Sequence, residues 1–310
     1  MSRRILVIGA AGMIGRKLTA RLAKEAMGEL ILHDVVPFEG SSMVSDLSLP
    51  GEAEKLVAKR PDLIFHLAAI VSGEAEADFD KGYRINLDGT RRLFEAVRKI
   101  GDGYKPKVVF TSSIAVFGAP FPDAIADEFL NAPLTSYGTQ KAIGELLLSD
   151  YSRRGFFDGI GIRLPTICVR PGKPNKAASG FFSGILREPL AGQEAVLPVP
   201  DTVRHWFASP RAAIEFLLHA SKIDTELLGT RRNLSMPGLS ATIAEEIESL
   251  RRVGGEKAVR LIRRQPDPTI MRIVEGWPRN FDARRALGLG FRPDPSFDDI
   301  VRYHVQDELS

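Results

Sequence analysis

The sequence predicts an α/β fold, a doubly wound parallel sheet with a smaller C-terminal lobe, and three observations carry that prediction. Short, continuous apolar runs recur through the first half: Ile5–Ile8, Leu30–Leu32, Leu63–Phe65, Val108–Phe110 and Ile160–Ile162. Such runs mark strands buried on both faces. They alternate with stretches of helical periodicity. Beyond Leu164 the pattern breaks into Pro165, Pro171, Pro174, Pro189, Pro198 and Pro200, which suits a lobe of loops and short helices. The expected organisation is 1–165 for the sheet domain, with a return over about 208–235, and most of 166–310 for the second lobe.

Composition narrows the classes of function. The 310 residues are 44% hydrophobic and 26% charged, ordinary for a globular chain able to bury a large core. Net charge is +3 with no long basic run, so no nucleic-acid partner is expected. The single cysteine, Cys168, excludes an internal disulfide, and a cytoplasmic location is expected. The histidines, His33, His66, His205, His219 and His304, show no metal-ligand spacing, so no metal is expected. The apolar run after Arg4 is too short for a signal-peptide core, and no stretch is long enough to cross a membrane. Asn233-Leu-Ser235 matches a glycosylation sequon and is read as chance.

The first strand runs into Gly9-Ala-Ala-Gly12-Met13-Ile14-Gly15, which opens a helical pattern through Leu18 and Leu22. A glycine turn between strand and helix lets the backbone approach a pyrophosphate, and the helix N-terminus offers N–H groups to it. The second strand ends at Asp34, about 20 residues on, where a carboxylate can hold ribose hydroxyls and repel a 2′-phosphate. That favours NAD as cofactor. Asp46-Leu47 follows a third strand; Asp46 either accepts from the adenine amine or caps a helix over Leu49–Arg60. The fourth strand ends in Leu67-Ala68-Ala69, small residues against which a flat cofactor can lie, with Ser72 in the next loop facing a substrate. Phe79–Ile100 reads as one long amphipathic helix. It contains Asn86, whose amide can bridge the fourth and fifth strands. The fifth strand delivers Ser112 and Ser113 to the edge where doubly wound sheets bind ligands. Ser136 is the expected N-cap of a helix reaching Arg154. Tyr137 and Lys141 then share a face one turn apart. An ammonium favours a nearby phenolate, which can take a proton from an alcohol. The sixth strand ends at Leu164, with Pro165 after it.

Jointly these pieces resemble the extended short-chain dehydrogenase/reductase family, also described as the NAD-dependent epimerase/dehydratase family. The matching positions are Gly9, Gly12, Gly15, Asp34, Asp46-Leu47, His66–Ala69, Asn86 to Thr90, Ser113 before Val116-Phe-Gly118, Tyr137, Lys141 and Arg163. The resemblance implies that Ser113, Tyr137 and Lys141 form the catalytic set. Ser113 is chosen over Ser112 because it lies five residues before Gly118. Lys141 would also hold the nicotinamide ribose, and Met13, Ile14, Leu67 and Pro165 would line the NAD site. A homodimer through 79–100 and 136–154 is implied as well.

Within the family, nucleotide-sugar epimerases carry an asparagine where this chain has Thr166. The segment from Arg163 to Leu190 looks most like the branch that oxidises a small sugar acid, D-erythronate, at C2 with NAD. Ser112–Gly118 and Gly276-Trp-Pro278 are also similar to short-chain L-threonine dehydrogenases. The expected substrate is therefore a small carboxylate-bearing alcohol, with a nucleotide-sugar 4-epimerase or an L-threonine 3-dehydrogenase-like enzyme as alternatives. Thr166, Arg170, Asn175 and Arg204 are candidate substrate ligands with Ser72 and Ser113, arginine offering a bidentate fork to a carboxylate. A surface or loop-stabilising role is the other reading of Ser72, Arg170, Asn175 and Arg204. Trp206-Phe207 is expected between the lobes. Thr242, Asp282 and Ser296 read as helix caps.

Overall fold

In the computed structural model, which describes residues 3–38, 42–172 and 179–309, the first apolar run forms strand β1 (Arg4–Ile8). Its residues Ile5 to Ile8 are wholly inaccessible to solvent, which is why the run has no polar alternation. Around β1 are α1 (Met13–Lys24), β2 (Glu29–Asp34), β3 (Ser42–Val44), α2 (Glu52–Val57), β4 (Leu63–His66), α3 (Gly89–Ile100), β5 (Lys107–Ser113), α4 (Ser136–Arg153), β6 (Asp158–Leu164) and β7 (Asn233–Ser235). The seven strands form one sheet in the order β7-β6-β5-β4-β1-β2-β3. β1 pairs in parallel with both β2 and β4, and β4 with β5. The chain thus starts at the centre of the sheet and winds outward in both directions, the doubly wound arrangement expected.

The chain divides into two compact units, the first of Met1–Val116, Thr135–Arg163 and Ile214–Leu234, the second of Phe117–Leu134, Leu164–Ala213 and Ser235–Ser310. In the first, Leu6, Ile8, Ile64, Phe94, Val97, Val108 and Phe110 belong to one core cluster. The second holds a three-stranded sheet of Thr166–Ile167, Arg204–Ala208 and Leu239–Thr242. Its core gathers Phe182, Ile185, Ile243, Ile247, Leu250, Ile300 and Val301. Trp206 donates its indole N–H to the Met236 carbonyl at 3.2 Å, and Phe207 packs edge-on against Phe182 and Phe297. Both aromatics thus pack against other residues of the second unit.

Several local expectations change. The long helix splits into Phe79–Gly82, a π-helical turn Tyr83–Asp88, and α3. The wide turn carries Asn86, whose side chain serves partners outside the helix. The N-cap of α4 is Thr135, whose Oγ1 accepts from Gly138 N at 3.0 Å, and not Ser136. Ser136 instead donates its backbone N–H to Glu76. Helix α2 is shorter than Leu49–Arg60 and starts at Gly51 without a side-chain cap, so Asp46 does not cap it. Ser72 opens a short helix, Ser72–Ala77, where a loop was expected. Strand β7 had no forecast. Thr242 does cap its helix, in a reciprocal capping box with Glu245, and Ser296 accepts from Asp299 N.

Candidate active site

The glycine turn meets the demands of a phosphate cradle. Gly9 sits at φ +90°, and a Cβ there would lie 2.7 Å from Ala68 N. A Cβ on Gly15 would lie 2.1 Å from the Gly9 carbonyl oxygen. These two glycines are required by the turn and by strand–helix packing. Gly12 differs: a Cβ would meet only the Gly9 oxygen, at 3.3 Å. Gly12 is also the N-cap of α1, with no side-chain hydrogen bond closing that helix end. The first backbone N–H groups of α1, at Met13, Ile14 and Gly15, thus lack a side-chain cap, which suits a pyrophosphate. The turn is pinned to β2 by Gly9 N and Ala10 N, both donating to the His33 carbonyl. Asp34 adds Oδ2, accepting from Ala11 N at 2.9 Å, while Oδ1 accepts from Val35 N at 2.7 Å. The carboxylate stands beside the glycine turn, where ribose hydroxyls can share it.

Asp46 has protein partners of its own. Its Oδ1 accepts from Ser48 N at 2.9 Å and Ser48 Oγ at 2.6 Å, and Oδ2 pairs with Arg84 at 2.5 Å. Leu47 is buried in the core. At the end of β4, Leu67 N donates to Ile8 O, and Ala68 and Ala69 follow half-buried. Asn86 accepts from Ile70 N at 2.9 Å and donates to Gln140 Oε1 at 2.7 Å. It therefore ties the β4 edge to α4 and not to β5, because the π-turn aims its amide at that helix. His66 is buried and its pKa is driven down to about 3, chiefly by desolvation and then by Lys141. Its Nε2 lies 2.8 Å from Thr90 Oγ1, a structural contact of a neutral ring.

The end of β5 and the start of α4 carry a polar cluster in which Lys141 is buried and Ser113 and Tyr137 are half-buried. Lys141 is 3% exposed and donates from Nζ to the Thr111 carbonyl at 2.8 Å. Its ammonium lies 4.9 Å from the Phe110 ring centroid and 5.8 Å from that of Tyr137. Burial lowers the Lys141 pKa to about 8, and Glu145 acts in the opposite direction. Ser113, at the end of β5, accepts from Ala115 N at 3.1 Å. Ser113 at the end of β5, with Tyr137 and the buried Lys141 on α4, supplies a hydroxyl, a phenol and an ammonium, the parts for proton transfer to and from an alcohol.

Comparison with known proteins agrees with this geometry. Residues 5–208 match the NAD dependent epimerase/dehydratase family. The chain belongs to this family. Its cofactor is NAD, which the glycine turn and Asp34 fit. The chain is 46% identical to the D-erythronate dehydrogenase of Cupriavidus necator, over 98% of each chain. It is 39% identical to the D-erythronate dehydrogenase of Haemophilus influenzae, over 99% of this chain and all of that one. Among solved structures, the nucleoside-diphosphate-sugar epimerase from Agrobacterium tumefaciens superposes with a TM-score of 0.95 at 67% identity, covering 99% of this chain and 95% of that one.

The remaining candidates fall in the second unit, apart from Ser72 in the first. Pro165 is buried directly after β6. Thr166 Oγ1 lies 2.7 Å from Nε2 of His205, a buried ring stacked 5.0 Å from Phe182. Burial drives the His205 pKa to about 3. Arg170 donates from Nε to Ile167 O at 3.1 Å, and its own carbonyl accepts from Arg187 at 2.7 Å. Those bonds are loop-stabilising. Asn175 lies outside the described residues. Arg204 donates to the Ser240 carbonyl at 3.0 Å and lines an open pocket of about 690 Å³ with Asp123, Ser240, Arg279 and Asn280. Among the described residues no group of acidic, histidine and cysteine side chains is arranged to hold a metal ion, and no helix is long and apolar enough to cross a membrane.

Sequence reasoning missed Glu145 and left Arg163 without a role. Glu145 follows Lys141 by one further turn on the same face of α4, a spacing that could have flagged it.

Proposed function

We propose that the chain is an NAD-dependent dehydrogenase that oxidises a small sugar acid, a D-erythronate-like 2-hydroxy acid, to the 2-oxo acid. The observation that carries this reading is the buried Lys141 ammonium, held at the end of β5 and one helical turn from Tyr137. Full-length similarity to two D-erythronate dehydrogenases supports the choice of substrate. NAD, when bound, supplies the acceptor for the hydride leaving C2. Tyr137 takes the hydroxyl proton, Ser113 orients that oxygen by a hydrogen bond, and Lys141 keeps the phenolate accessible. Gly9, Gly12, Gly15 and Asp34 hold the cofactor, so that positioning provides much of the rate. Arg204 is the proposed donor to the substrate carboxylate, since a guanidinium offers a carboxylate a bidentate fork. The reading includes a cytoplasmic homodimer formed through α3 and α4; exposed Leu146 on α4 supports such packing, and size-exclusion chromatography tests it.

A second reading, a nucleotide-sugar epimerase that retains its NAD, is favoured by the name of the Agrobacterium relative. The test is NADH appearance with purified protein, NAD and a panel of D-erythronate, L-threonate, L-threonine and UDP-sugars. Turnover confined to tetronates supports the dehydrogenase. Interconversion of UDP-sugars without net NADH replaces it with the epimerase, and turnover with L-threonine moves the enzyme to the amino-alcohol branch.

A further inference from the structure

We propose that Glu145, paired with Arg163 and Ser112, is a positioning residue that locks β5 to the Tyr137–Lys141 face of α4 and supports the Lys141 cation. The inference rests on the catalytic reading of Tyr137 and Lys141 given above.

Three contacts define the lock. Ser112 Oγ donates to Glu145 Oε1 at 2.6 Å, Arg163 Nε donates to the same oxygen at 2.9 Å, and Arg163 Nη2 donates to Oε2 at 2.8 Å. Glu145 is 1% exposed and Arg163 5%. Together the contacts join three elements: Ser112 is on β5, Arg163 on β6 and Glu145 on α4. One turn earlier on α4, Lys141 holds the carbonyl of Thr111. Successive residues of β5 are thus tied to successive turns of α4, and the next residue of β5 is Ser113. The spacing between Ser113 and Tyr137, on which proton transfer depends, is set by these bonds.

Stability alone does not call for such a cluster. A buried ion pair roughly breaks even against a well-packed apolar pair, because both ions lose their hydration. What the pair adds is direction, since a bidentate guanidinium–carboxylate fork fixes two planes together. It also adds charge. Lys141 faces Tyr137 and Glu145 on its own helix, the neutral His66 on β4 and the Thr111 carbonyl on β5, with Arg163 of β6 beyond Glu145. Glu145 is the group acting to retain the Lys141 proton against burial. Removing its charge moves the deprotonation of Lys141 to lower pH. A neutral lysine no longer favours the Tyr137 phenolate, so activity is lost on the alkaline side.

The test compares pH profiles of kcat with NAD and D-erythronate for Glu145→Gln, Ser112→Ala and the apolar pair Glu145→Leu/Arg163→Met, with Tyr137→Phe as reference. Glu145→Gln is expected to lower kcat about tenfold at neutral pH and to move the alkaline limb down by about one pH unit. Its NADH affinity, read by fluorescence, should stay within about threefold. Ser112→Ala should lower kcat about threefold without moving the limb. The apolar pair should melt near the wild-type temperature yet show the same displaced limb, and it decides the question if Glu145→Gln does not fold. An unmoved limb with kcat within about twofold in the folded variants overturns the inference alone, provided Tyr137→Phe is inactive. Full turnover by Tyr137→Phe overturns the catalytic reading and the inference with it.

Discussion

Each unit buries a glutamate, and the two are treated in opposite ways. In the first unit, Glu145 is 1% exposed and accepts three hydrogen bonds, two of them from a guanidinium. In the second, Glu246 is fully buried among apolar residues, and neither carboxyl oxygen has a hydrogen-bond partner among the described residues. Burial pushes the Glu246 carboxyl well above the usual carboxylate range. A buried carboxylate stays charged only where partners replace its water. The first glutamate is held by Ser112 and Arg163, one helical turn from Lys141. The second is pushed by burial toward its protonated form, with no hydrogen-bond partner among the described residues to offset the lost water.

The largest way to break this contrast is to remove one partner. Arg163→Ala leaves Glu145 buried without its guanidinium partner, and urea denaturation should show a loss of about 3–5 kcal/mol. A loss below about 1 kcal/mol would mean the pair is not the main support of that carboxylate. A smaller effect of opposite sign is expected from Glu246→Leu. Because burial raises the folded pKa of Glu246, the unfolded chain ionises first as pH rises, and the folded state loses stability above the unfolded pKa. Glu246→Leu removes that loss, so it should raise Tm by roughly 2–6 °C at pH 8 and by less at pH 4.5. An equal gain at both pH values would contradict a neutral Glu246. The smallest effect on stability concerns Gly12. Gly12→Ala should leave Tm within about 1 °C, since a Cβ there meets only the Gly9 oxygen. Calorimetry should nevertheless show NAD affinity falling about tenfold, because the methyl group fills the cradle.

What the sequence discloses follows the range of the interaction. Tyr137 with Lys141, the glycine turn and Asp34 are legible because each depends on neighbours within a turn or a strand–turn–helix unit. The centre of the sheet is legible from its unbroken apolar runs, as Ile5–Ile8 shows. Capping is legible only to within one residue: Thr135, and not Ser136, closes α4, because either hydroxyl fits the spacing and backbone geometry decides. The partners of buried charges are not legible. Glu145 and Arg163 are 18 positions apart and meet only because β6 packs beside the helix. The sequence suggests Asn86 as a link between strands, but the π-turn directs it to Gln140 on α4. Asp46 matches the family pattern, yet Ser48 and Arg84 take up its carboxylate, a choice set by tertiary packing.

The central claim is that Tyr137 removes a proton while NAD takes hydride from a small 2-hydroxy acid. The most direct measurement is NADH formation from NAD and D-erythronate by the wild-type protein and by Tyr137→Phe, with NADH binding followed in both. The account predicts turnover by the wild type, a fall of roughly 10³-fold or more in the variant, and cofactor affinity nearly unchanged. Undiminished NADH formation by Tyr137→Phe, or no NADH from D-erythronate while UDP-sugars interconvert, would contradict it.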